Sequence, residues 1–337
     1  MLTLPSHTGN ALSELTICSV SYKHSKHLLQ NIINAKKLNP NSELKWLIVN
    51  NALDEDSFES ILQLGDENIQ VFNGVPNNFN GSGSASKHHA SGLDLIVKRA
   101  KTRFVLILDP DFYLVMPNWV ERITKYMTDN NISLFGVPWH PKWTMKWRYF
   151  PCVHCTFVDR KNLNLSSLSF MPEFENTVPD GWRYFLSKIP FVGNRAYIGT
   201  SMDTGSQIYK KYFGSTGVNY ESVTPSFSHT DVYNLYSKYN KILVYLWIMF
   251  NKILDCMLPE KMSVFPKKKN YFTKTSFSDL KLSDCKKFGW EEFFWNNEPF
   301  GFHIRGFRKE PAQRIKEIDR IQEVLRIFIN RCKCSGL

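Results

Sequence analysis

The sequence has few cysteines, and no cysteine pattern that would predict a disulfide framework or a zinc-binding module. Seven cysteines occur among the 337 residues, and only Cys152 and Cys155 form a C-x-x-C pair, with His154 between them. A structural zinc site normally needs a second pair of ligands at similar spacing. We therefore expect free thiols in a reducing compartment, with a metal role for the cysteines as the weaker alternative.

Long hydrophobic runs are also lacking. Residues 1–12 have no basic flank followed by an apolar stretch, which argues against a secretory signal and favours a cytoplasmic protein. The most apolar segment, residues 242–258, is shorter than the ~20 residues that span a bilayer, and it contains Asn251, Lys252 and Asp255. We predict a buried or interfacial amphipathic helix here, with peripheral contact at the cytoplasmic face of a membrane as one alternative.

No sustained basic helix face of the kind that binds duplex nucleic acid is present in the sequence. The formal net charge is +11, yet the densest cluster is only the three lysines at 267–269. This charge favours attraction to anionic lipid or to nucleotides over a nucleic-acid partner. The hydrophobic fraction of 43% is ordinary for a globular protein, and the length suffices for one large domain or two smaller ones.

Apolar runs and helical spacings alternate through the first part of the chain. This alternation predicts βαβ crossovers and an α/β fold class: a Rossmann-like, doubly wound, mainly parallel sheet with helices on both faces. Ligands of such sheets bind outside the carboxyl ends of the strands. The predicted strands are residues 15–21, 44–49, 69–72, 104–108 and 133–137, and the predicted helices are residues 27–38, 57–64, 89–100 and 119–127.

The pattern changes after residue 139, where tryptophans and other aromatic residues crowd a short loop region. A further strand is expected at 153–158 and helices at 203–212 and 311–331, so we predict a mostly helical C-terminal elaboration. No internal repeat or low-complexity tract interrupts the sequence, which argues against a repeat array.

The most informative motif is the apolar strand at 104–108, which runs directly into Asp109-Pro110-Asp111. Two carboxylates at i and i+2 can emerge on one side where a strand ends. Hard oxygen ligands in this position suit a Mg²⁺ or Mn²⁺ ion that carries a diphosphate. The alternative is a turn that merely ends the strand, since Asp and Pro both favour turns.

The order of these pieces resembles a family 2-type inverting glycosyltransferase with the GT-A fold. Residues 18–23 (CSVSYK) resemble the opening strand of that family, and residues 49–51 (VNN) resemble the segment that flanks the nucleotide base. Residues 91–111 resemble the helix and strand that lead to the D-x-D motif of the family. Asn50 replaces a frequent Asp, and Lys23, which replaces the usual Asn, is expected to be a solvated surface lysine.

This resemblance implies a nucleotide-sugar donor, a Mn²⁺ or Mg²⁺ cofactor bound through Asp109 and Asp111, and inverting transfer to a hydroxyl. The acceptor would be a glycan or a lipid-linked saccharide, and the sugar, the nucleobase and the linkage are not predicted. The donor-binding residues that the resemblance implies are Ser21, Tyr22, Asn50, Asn51, Gly81, His88 and Asp109.

Inverting transfer requires a general base, and the family has a carboxylate at the start of a helix downstream of the D-x-D. Asp203 matches that position, ahead of a predicted helix that reaches Tyr212. The alternative is that Asp203 is only an N-cap or a first-turn acid that stabilises the helix. Asp180 is a rival for the base, although its Pro-Asp-Gly setting predicts a turn.

A late histidine completes the metal shell in several members of the GT-A fold, and His303 is the best candidate, with Arg305 placed to meet a phosphate. A structural role among aromatic residues is the alternative for His303. We expect His88 to face the donor and His89 to pack on the apolar side of its helix. The Gly/Ser loop at 80–84 lacks the ending of a P-loop and is a weak motif by itself.

The resemblance divides the chain into three parts of one catalytic unit. Residues 1–138 would bind the nucleotide sugar, residues 139–235 would form the acceptor side, and residues 236–337 would close the site. Two other functions remain open from the sequence: a sugar-phosphate nucleotidyltransferase, and a nucleotide- or carbohydrate-binding module without turnover.

Overall fold

The computed structural model describes residues 13–22, 24–51, 58–74, 84–143, 146–172, 203–235, 240–260, 263–305 and 311–334. Three residues singled out in the sequence, Lys23, Gly81 and Asp180, lie outside the described residues, as does most of the Gly/Ser loop.

Strands and helices alternate in the first part of the chain, close to the bounds that the apolar pattern predicts. In order they are β1 (Ser13–Ser21), α1 (Ser25–Leu38), β2 (Ser42–Asn50), α2 (Glu59–Leu62), β3 (Ile69–Asn73), α3 (Ser84–Ile96), β4 (Phe104–Leu108), β5 (Phe112–Leu114), α4 (Trp119–Asp129) and β6 (Leu134–Gly136). The later elements are β7 (Cys155–Asp159), α5 (Ser206–Tyr212), β8 (Tyr220–Ser222), β9 (Thr224–Pro225), α6 (His229–Leu235), α7 (Lys241–Met257), β10 (Glu291–Trp295), β11 (Glu298–His303) and α8 (Pro311–Cys334).

Seven strands form the central sheet in the order β3-β2-β1-β4-β7-β6-β8. The pairs β3–β2, β2–β1, β1–β4 and β6–β8 are parallel, and only β7 runs antiparallel to its neighbours β4 and β6. Because β1 lies between β2 and β4, the carboxyl ends of these three strands meet at one edge. The expected fold class, a mainly parallel α/β sheet flanked by helices, is confirmed.

A second sheet of four strands, in the order β5-β11-β10-β9, was not predicted from the sequence. It joins β5, which follows the D-x-D motif, to the hairpin β10–β11 near the C-terminus. A Cβ atom at Gly301 would lie 2.6 Å from the carbonyl oxygen of Tyr113, so this pairing requires glycine. Strands from all three predicted segments contribute to the second sheet, and the division at residues 138 and 235 stays a prediction.

Two aromatic-rich clusters support the two sheets. Trp46, Trp119 and Phe157 are fully buried in the main core against the central sheet. Beneath the second sheet, the Phe302 ring stacks between Tyr113 and Trp290, with ring centroids 5.2 and 5.3 Å away. Much of the high aromatic content therefore serves packing, and the rings hold the β5–β11 ladder rigid next to the D-x-D motif.

Candidate active site

The turn after β4 presents the D-x-D carboxylates at the carboxyl edge of the sheet. The Phe112 amide donates to the carbonyl of Asp109 (3.1 Å), so the motif is also a tight turn with Pro110 in its second position. The Ser19 hydroxyl donates to the carbonyl of Leu108 (2.7 Å), and the Asn31 side-chain amide donates to the carbonyl of Pro110 (2.8 Å). These bonds from β1 and α1 fix the turn, which limits the positions of both carboxylates.

Asp109, His154 and His303 converge on one point. One ligand atom of each residue lies within 4.8 Å of the others, and the two imidazole rings are 4.4 Å apart between centroids. His154 precedes β7, whose antiparallel pairing with β4 brings it beside Asp109: the Asp109 amide donates to the His154 carbonyl (3.0 Å). One carboxylate and two imidazoles form a donor set that suits a divalent transition metal such as Mn²⁺.

The chemistry of Asp109 fits such an ion. Its Oδ2 lies 2.6 Å from Nδ1 of His154, whereas Oδ1 is buried and accepts no hydrogen bond from the described part of the chain. Burial alone would raise the pKa of this carboxyl, but the imidazoles of His89 and His154 outweigh burial and hold the pKa below its usual value. Asp109 is therefore an ionised carboxylate, and its buried Oδ1 lies 3.3 Å from Nε2 of His89 without a hydrogen bond between them, which leaves this oxygen able to bind a metal ion.

His89 was expected to pack on the apolar side of its helix, and it lies on that side, one turn before the buried Leu93 and at the end of α3 that borders the site. Its Nε2 lies 3.3 Å from Oδ1 of Asp109, at the carboxyl edge of the sheet. Leu93, one turn further along α3, is the residue that is buried. Residues four positions apart share one side of a helix, so His89 continues the inner side of α3 and borders the site.

Asp111 lies behind His303 and outside this convergent group. Its Oδ1 is 3.2 Å from Nε2 of His303, and its backbone carbonyl accepts the amide of Ile304 (3.0 Å). The β5–β11 register places Phe112 opposite His303, which explains the close approach. The structure thus gives the two acids different neighbours, and a direct metal contact from Asp111 stays a prediction.

Glu291 is the second carboxylate that holds His303. Its Oε2 lies 3.1 Å from Nδ1 of His303, while its Oε1 accepts bonds from Nε1 of Trp143 (2.6 Å) and Nε of Arg305 (3.1 Å). Nζ of Lys142 lies 3.1 Å from the same oxygen. Burial would raise the pKa of Glu291, but Lys142 and Arg305 lower it well below its usual value.

The two histidines of the candidate site have opposite electrostatic surroundings. For His303, burial opposes the charged form, but the carboxylates of Asp111 and Glu291 prevail and raise its pKa to about 9. For His154, burial, His303 and Arg305 lower the pKa to about 4. A metal ion binds the neutral form of an imidazole, so His303 would release its proton on binding, whereas His154 is already neutral.

Arg305 borders the site as a rigid cation. Its Nη2 lies 2.7 Å from Nε2 of His154, so the guanidinium donates there, and the proton of His154 lies on Nδ1 toward Asp109. The guanidinium carbon lies over the rings of both Trp139 and Trp143, 4.6 and 4.8 Å from their centroids. These contacts hold the guanidinium at the edge of the site, with Nε donating to Glu291 and Nη2 donating to His154.

Asp203 approaches the same region from the start of α5. It forms an ion pair with Lys146, and its Oδ1 accepts the hydroxyl of Ser86 (3.3 Å) at the start of α3. Nζ of Lys146 lies 4.8 Å from the centroid of the Trp139 ring, on which Arg305 also rests. The N-cap of α5 is Gly205, so the alternative in which Asp203 caps that helix is wrong. The role of general base stays a prediction.

The predicted donor residues lie along the same edge, at the ends of β1 and β2. Ser21 is buried and pairs with Asn50 across the parallel ladder, and the Asn51 amide donates to the Ser21 carbonyl (2.8 Å). The Asn51 side chain donates to the carbonyl of His88 on α3 (2.9 Å), and Tyr22 is 59% exposed. The structure therefore brings these residues together beside β4, although their contacts with a donor are untested.

The comparisons with known proteins are remote. No family model and no curated protein matches the sequence. The chain is similar to the mannosyltransferase PcManGT from Pyrobaculum calidifontis, solved with GDP-Man and Mn²⁺, at 11% identity over 63% of this chain and 55% of that one, with a TM-score of 0.42. It therefore spans about half the length of that protein.

Two further solved structures are similar to parts of this chain, at lower TM-scores. The galactosyltransferase LgtC, in complex with donor and acceptor sugar analogues, is 14% identical over 76% of this chain and 85% of its own, with a TM-score of 0.34. TarS from S. aureus is 15% identical over 37% of this chain and 21% of its own, with a TM-score of 0.30. Similarities at this level carry no conclusion about activity. The fold and the site themselves define an α/β protein with a candidate divalent-metal site at the carboxyl edge of its sheet.

Proposed function

We propose that the chain is a metal-dependent glycosyltransferase that moves a sugar from a nucleotide-sugar donor to a hydroxyl of a glycan or lipid-linked acceptor. The observation that carries the proposal is the convergence of Asp109, His154 and His303 where β4 ends, with a buried Asp109 oxygen that lacks a hydrogen bond. The resemblance of the β1, β2 and β4 segments to family 2 glycosyltransferases supports the same reading.

Asp109, His154 and His303 would hold a Mn²⁺ or Mg²⁺ ion. When bound, such an ion supplies Lewis-acid stabilisation of the negative charge on a departing diphosphate. Arg305 would donate to phosphate oxygens from the same side, since Trp139 and Trp143 hold its guanidinium in place. Charge stabilisation of this kind, from groups that are already in position, is commonly the largest contribution to catalysis.

The chain's other residues at this edge would position the donor and the acceptor. Ser21, Tyr22, Asn50 and Asn51 would contact the nucleoside part of the donor, because they lie at the ends of the strands beside β4. Asp203 would accept the proton of the acceptor hydroxyl, a step worth roughly 10²–10⁴ in rate. Its ion pair with Lys146 favours the ionised carboxylate that a base must be. We also propose that the transfer inverts the configuration at the sugar carbon.

A thermal-shift screen of UDP-, GDP-, dTDP- and CMP-sugars, with Mn²⁺ and with EDTA, tests the proposal. We expect one nucleotide class to stabilise the protein in the presence of Mn²⁺, by mass action. Asp109→Asn should abolish that shift, whereas Asp129→Asn, the same change at the exposed end of α4, should preserve it. The absence of stabilisation by any donor, with or without metal, would refute the proposal.

Asp203→Asn separates a transferase from a binding module. If Asp203 is the base, the variant should keep the donor-induced shift and lose release of the nucleoside diphosphate in the presence of a glycan acceptor. Donor binding by the wild-type chain without turnover on any acceptor, and with no effect of Asp203→Asn, would instead favour a module that binds nucleotide sugars.

A further inference from the structure

One face of α7 fixes this helix to the rest of the protein. Asp255 accepts hydrogen bonds from the amides of Val264 and Phe265, both at 2.8 Å, and the Asn240 side chain caps the first turn by accepting the amide of Ile242 (2.9 Å). The buried residues of α7 recur every three or four positions and so share one side: Val244, Ile248, Asn251 and Asp255. The helix therefore has a defined inner side and a defined outer side.

The outer side of α7 carries eight exposed large apolar side chains. They are Ile242, Leu243, Tyr245, Leu246, Met249, Phe250, Ile253 and Met257, with exposed fractions from 39% to 79%, and are called the α7 apolar face below. Only four other large apolar side chains are exposed among the described residues, and they are scattered over the molecule. A continuous patch of this kind on a folded protein marks a contact surface.

Basic groups border the α7 apolar face. Lys241 and Lys252 are about three helical turns apart, on the same flank, and line an open groove of about 510 Å³ together with Tyr245. Lys267 and Lys268, both exposed, lie at the other end of the helix, where Nζ of Lys267 donates to the carbonyl of Leu258 (2.5 Å).

The carboxylates nearest in the chain do not offset these lysines. Asp255 is buried against backbone amides, and Glu260 is engaged by Arg148 and Tyr149. Asp231 accepts the amide of Ser228 and lies 3.6 Å from Lys286. The surroundings of the helix are therefore cationic, in line with the formal net charge of +11 of the whole chain.

We propose that α7 is an in-plane membrane-docking helix that lies on an anionic lipid surface, with the α7 apolar face in the acyl-chain boundary and Lys241 and Lys252 at the headgroups. Aliphatic and aromatic side chains on one face, with lysines along the flank, are the arrangement that binds lipid interfaces. No helix among the described residues is long and apolar enough to cross a membrane. The inference does not depend on the proposed transfer reaction.

A second copy of this chain is a poorer occupant of the same face. In a two-fold pair, the same patch meets itself, which would bring the lysine flanks of both copies into one contact. Like charges brought together in this way oppose association, whereas anionic headgroups neutralise them.

Vesicle co-sedimentation of the full chain tests the proposal. We expect binding to vesicles that contain phosphatidylglycerol and little binding to vesicles of phosphatidylcholine alone. The double variant Leu246→Asp/Ile253→Asp should weaken binding by about tenfold or more, because two apolar side chains leave the acyl boundary and two negative charges enter it. The matched control Leu62→Asp/Leu64→Asp changes two exposed residues near α2 by the same chemistry and should bind as the wild type does.

Charge reversal tests the electrostatic part. Lys241→Glu/Lys252→Glu should reduce binding to phosphatidylglycerol vesicles at low salt, and added salt should reduce wild-type binding toward that of the variant. Circular dichroism melts establish that each variant is folded. Absence of wild-type binding, or binding that survives Leu246→Asp/Ile253→Asp, would overturn the proposal. The proposal would also be overturned if light scattering showed a wild-type dimer and Leu246→Asp/Ile253→Asp were a monomer.

Discussion

At the scale of single residues, each positively charged or imidazole group of the site has a carboxylate next to it. Asp109 faces the two histidines of the candidate site, and Asp111 and Glu291 face His303 from behind. The positive charge of His303 is thus matched by buried carboxylates even without an ion. Such groups behind a ligand set its orientation and basicity, and their loss typically costs 10–100-fold in metal affinity.

Glu291→Gln tests this compensation. The substitution keeps the shape of the side chain but leaves Lys142, Arg305 and His303 near one another without their shared carboxylate. We expect the free energy of unfolding in urea to fall by about 3 kcal/mol, because buried charges lose their partner. Glu298→Gln is the control: its pair with Arg122 is on the surface, so its loss should cost less than about 1 kcal/mol. Equal effects of the two changes would argue against a buried network around Glu291.

His154 is the residue of the site that the sequence analysis did not single out. It was visible inside the C-x-x-C pair, but the sequence has no second pair of ligands that would complete a zinc site, so no metal role was assigned to this segment. What gives His154 its role is the antiparallel register of β7 on β4, a non-local property. By contrast, Asp109 was predictable, because the buried strand and the acid that follows it are adjacent in sequence.

At the scale of elements, the central sheet was predictable and the second sheet was not. β1, β2 and β4 are apolar runs bounded by polar turns, and their expected and observed bounds agree within two residues. β10 begins with two acidic residues, Glu291 and Glu292, so its sequence lacks the apolar pattern that predicts a buried strand. Both residues are nevertheless buried. The hairpin has one local signature, since Asn296 and Asn297 both have positive φ, as a two-residue turn requires.

Glu292 makes the stability of the second sheet dependent on pH. Its carboxylate accepts the amides of Phe277 (2.8 Å) and Cys285 (3.2 Å), but burial prevails and raises its pKa from 4.5 to about 7. The folded state therefore binds this proton more tightly than the unfolded state does. The resulting stabilisation is complete below pH 4.5 and is lost as the pH rises through 7.

Urea unfolding of Glu292→Gln and wild type across this pH range measures the effect. Because the variant cannot ionise at this position, its stability relative to wild type should rise by about 3 kcal/mol between pH 4.5 and pH 8. The exposed Glu298→Gln variant is measured in parallel as the control for a surface carboxylate. Parallel curves for Glu292→Gln and wild type would contradict the raised pKa.

At the scale of the whole molecule, the site joins segments that are distant in sequence. Asp109 follows β4, His154 precedes β7, and His303 ends β11, so the three candidate ligands connect the central sheet with the second sheet. In the unfolded chain these residues would not be held together. An ion that binds them together therefore binds the folded state and shifts the unfolding equilibrium.

Unfolding in urea with and without Mn²⁺ measures this linkage without any nucleotide. At a Mn²⁺ concentration of about 100 times the dissociation constant, we expect a gain of about 2.7 kcal/mol in the free energy of unfolding. Mg²⁺ at the same concentration should stabilise less, because imidazole ligands favour transition metals over Mg²⁺. His154→Ala and His303→Ala should each remove most of the gain, while His88→Ala, on α3 and outside the ligand group, should keep it. A Mn²⁺ effect that is unchanged by His154→Ala and His303→Ala would place the ion elsewhere on the protein. If Mn²⁺ does not stabilise the wild type at all, Asp109, His154 and His303 form a network of hydrogen bonds and not a metal site.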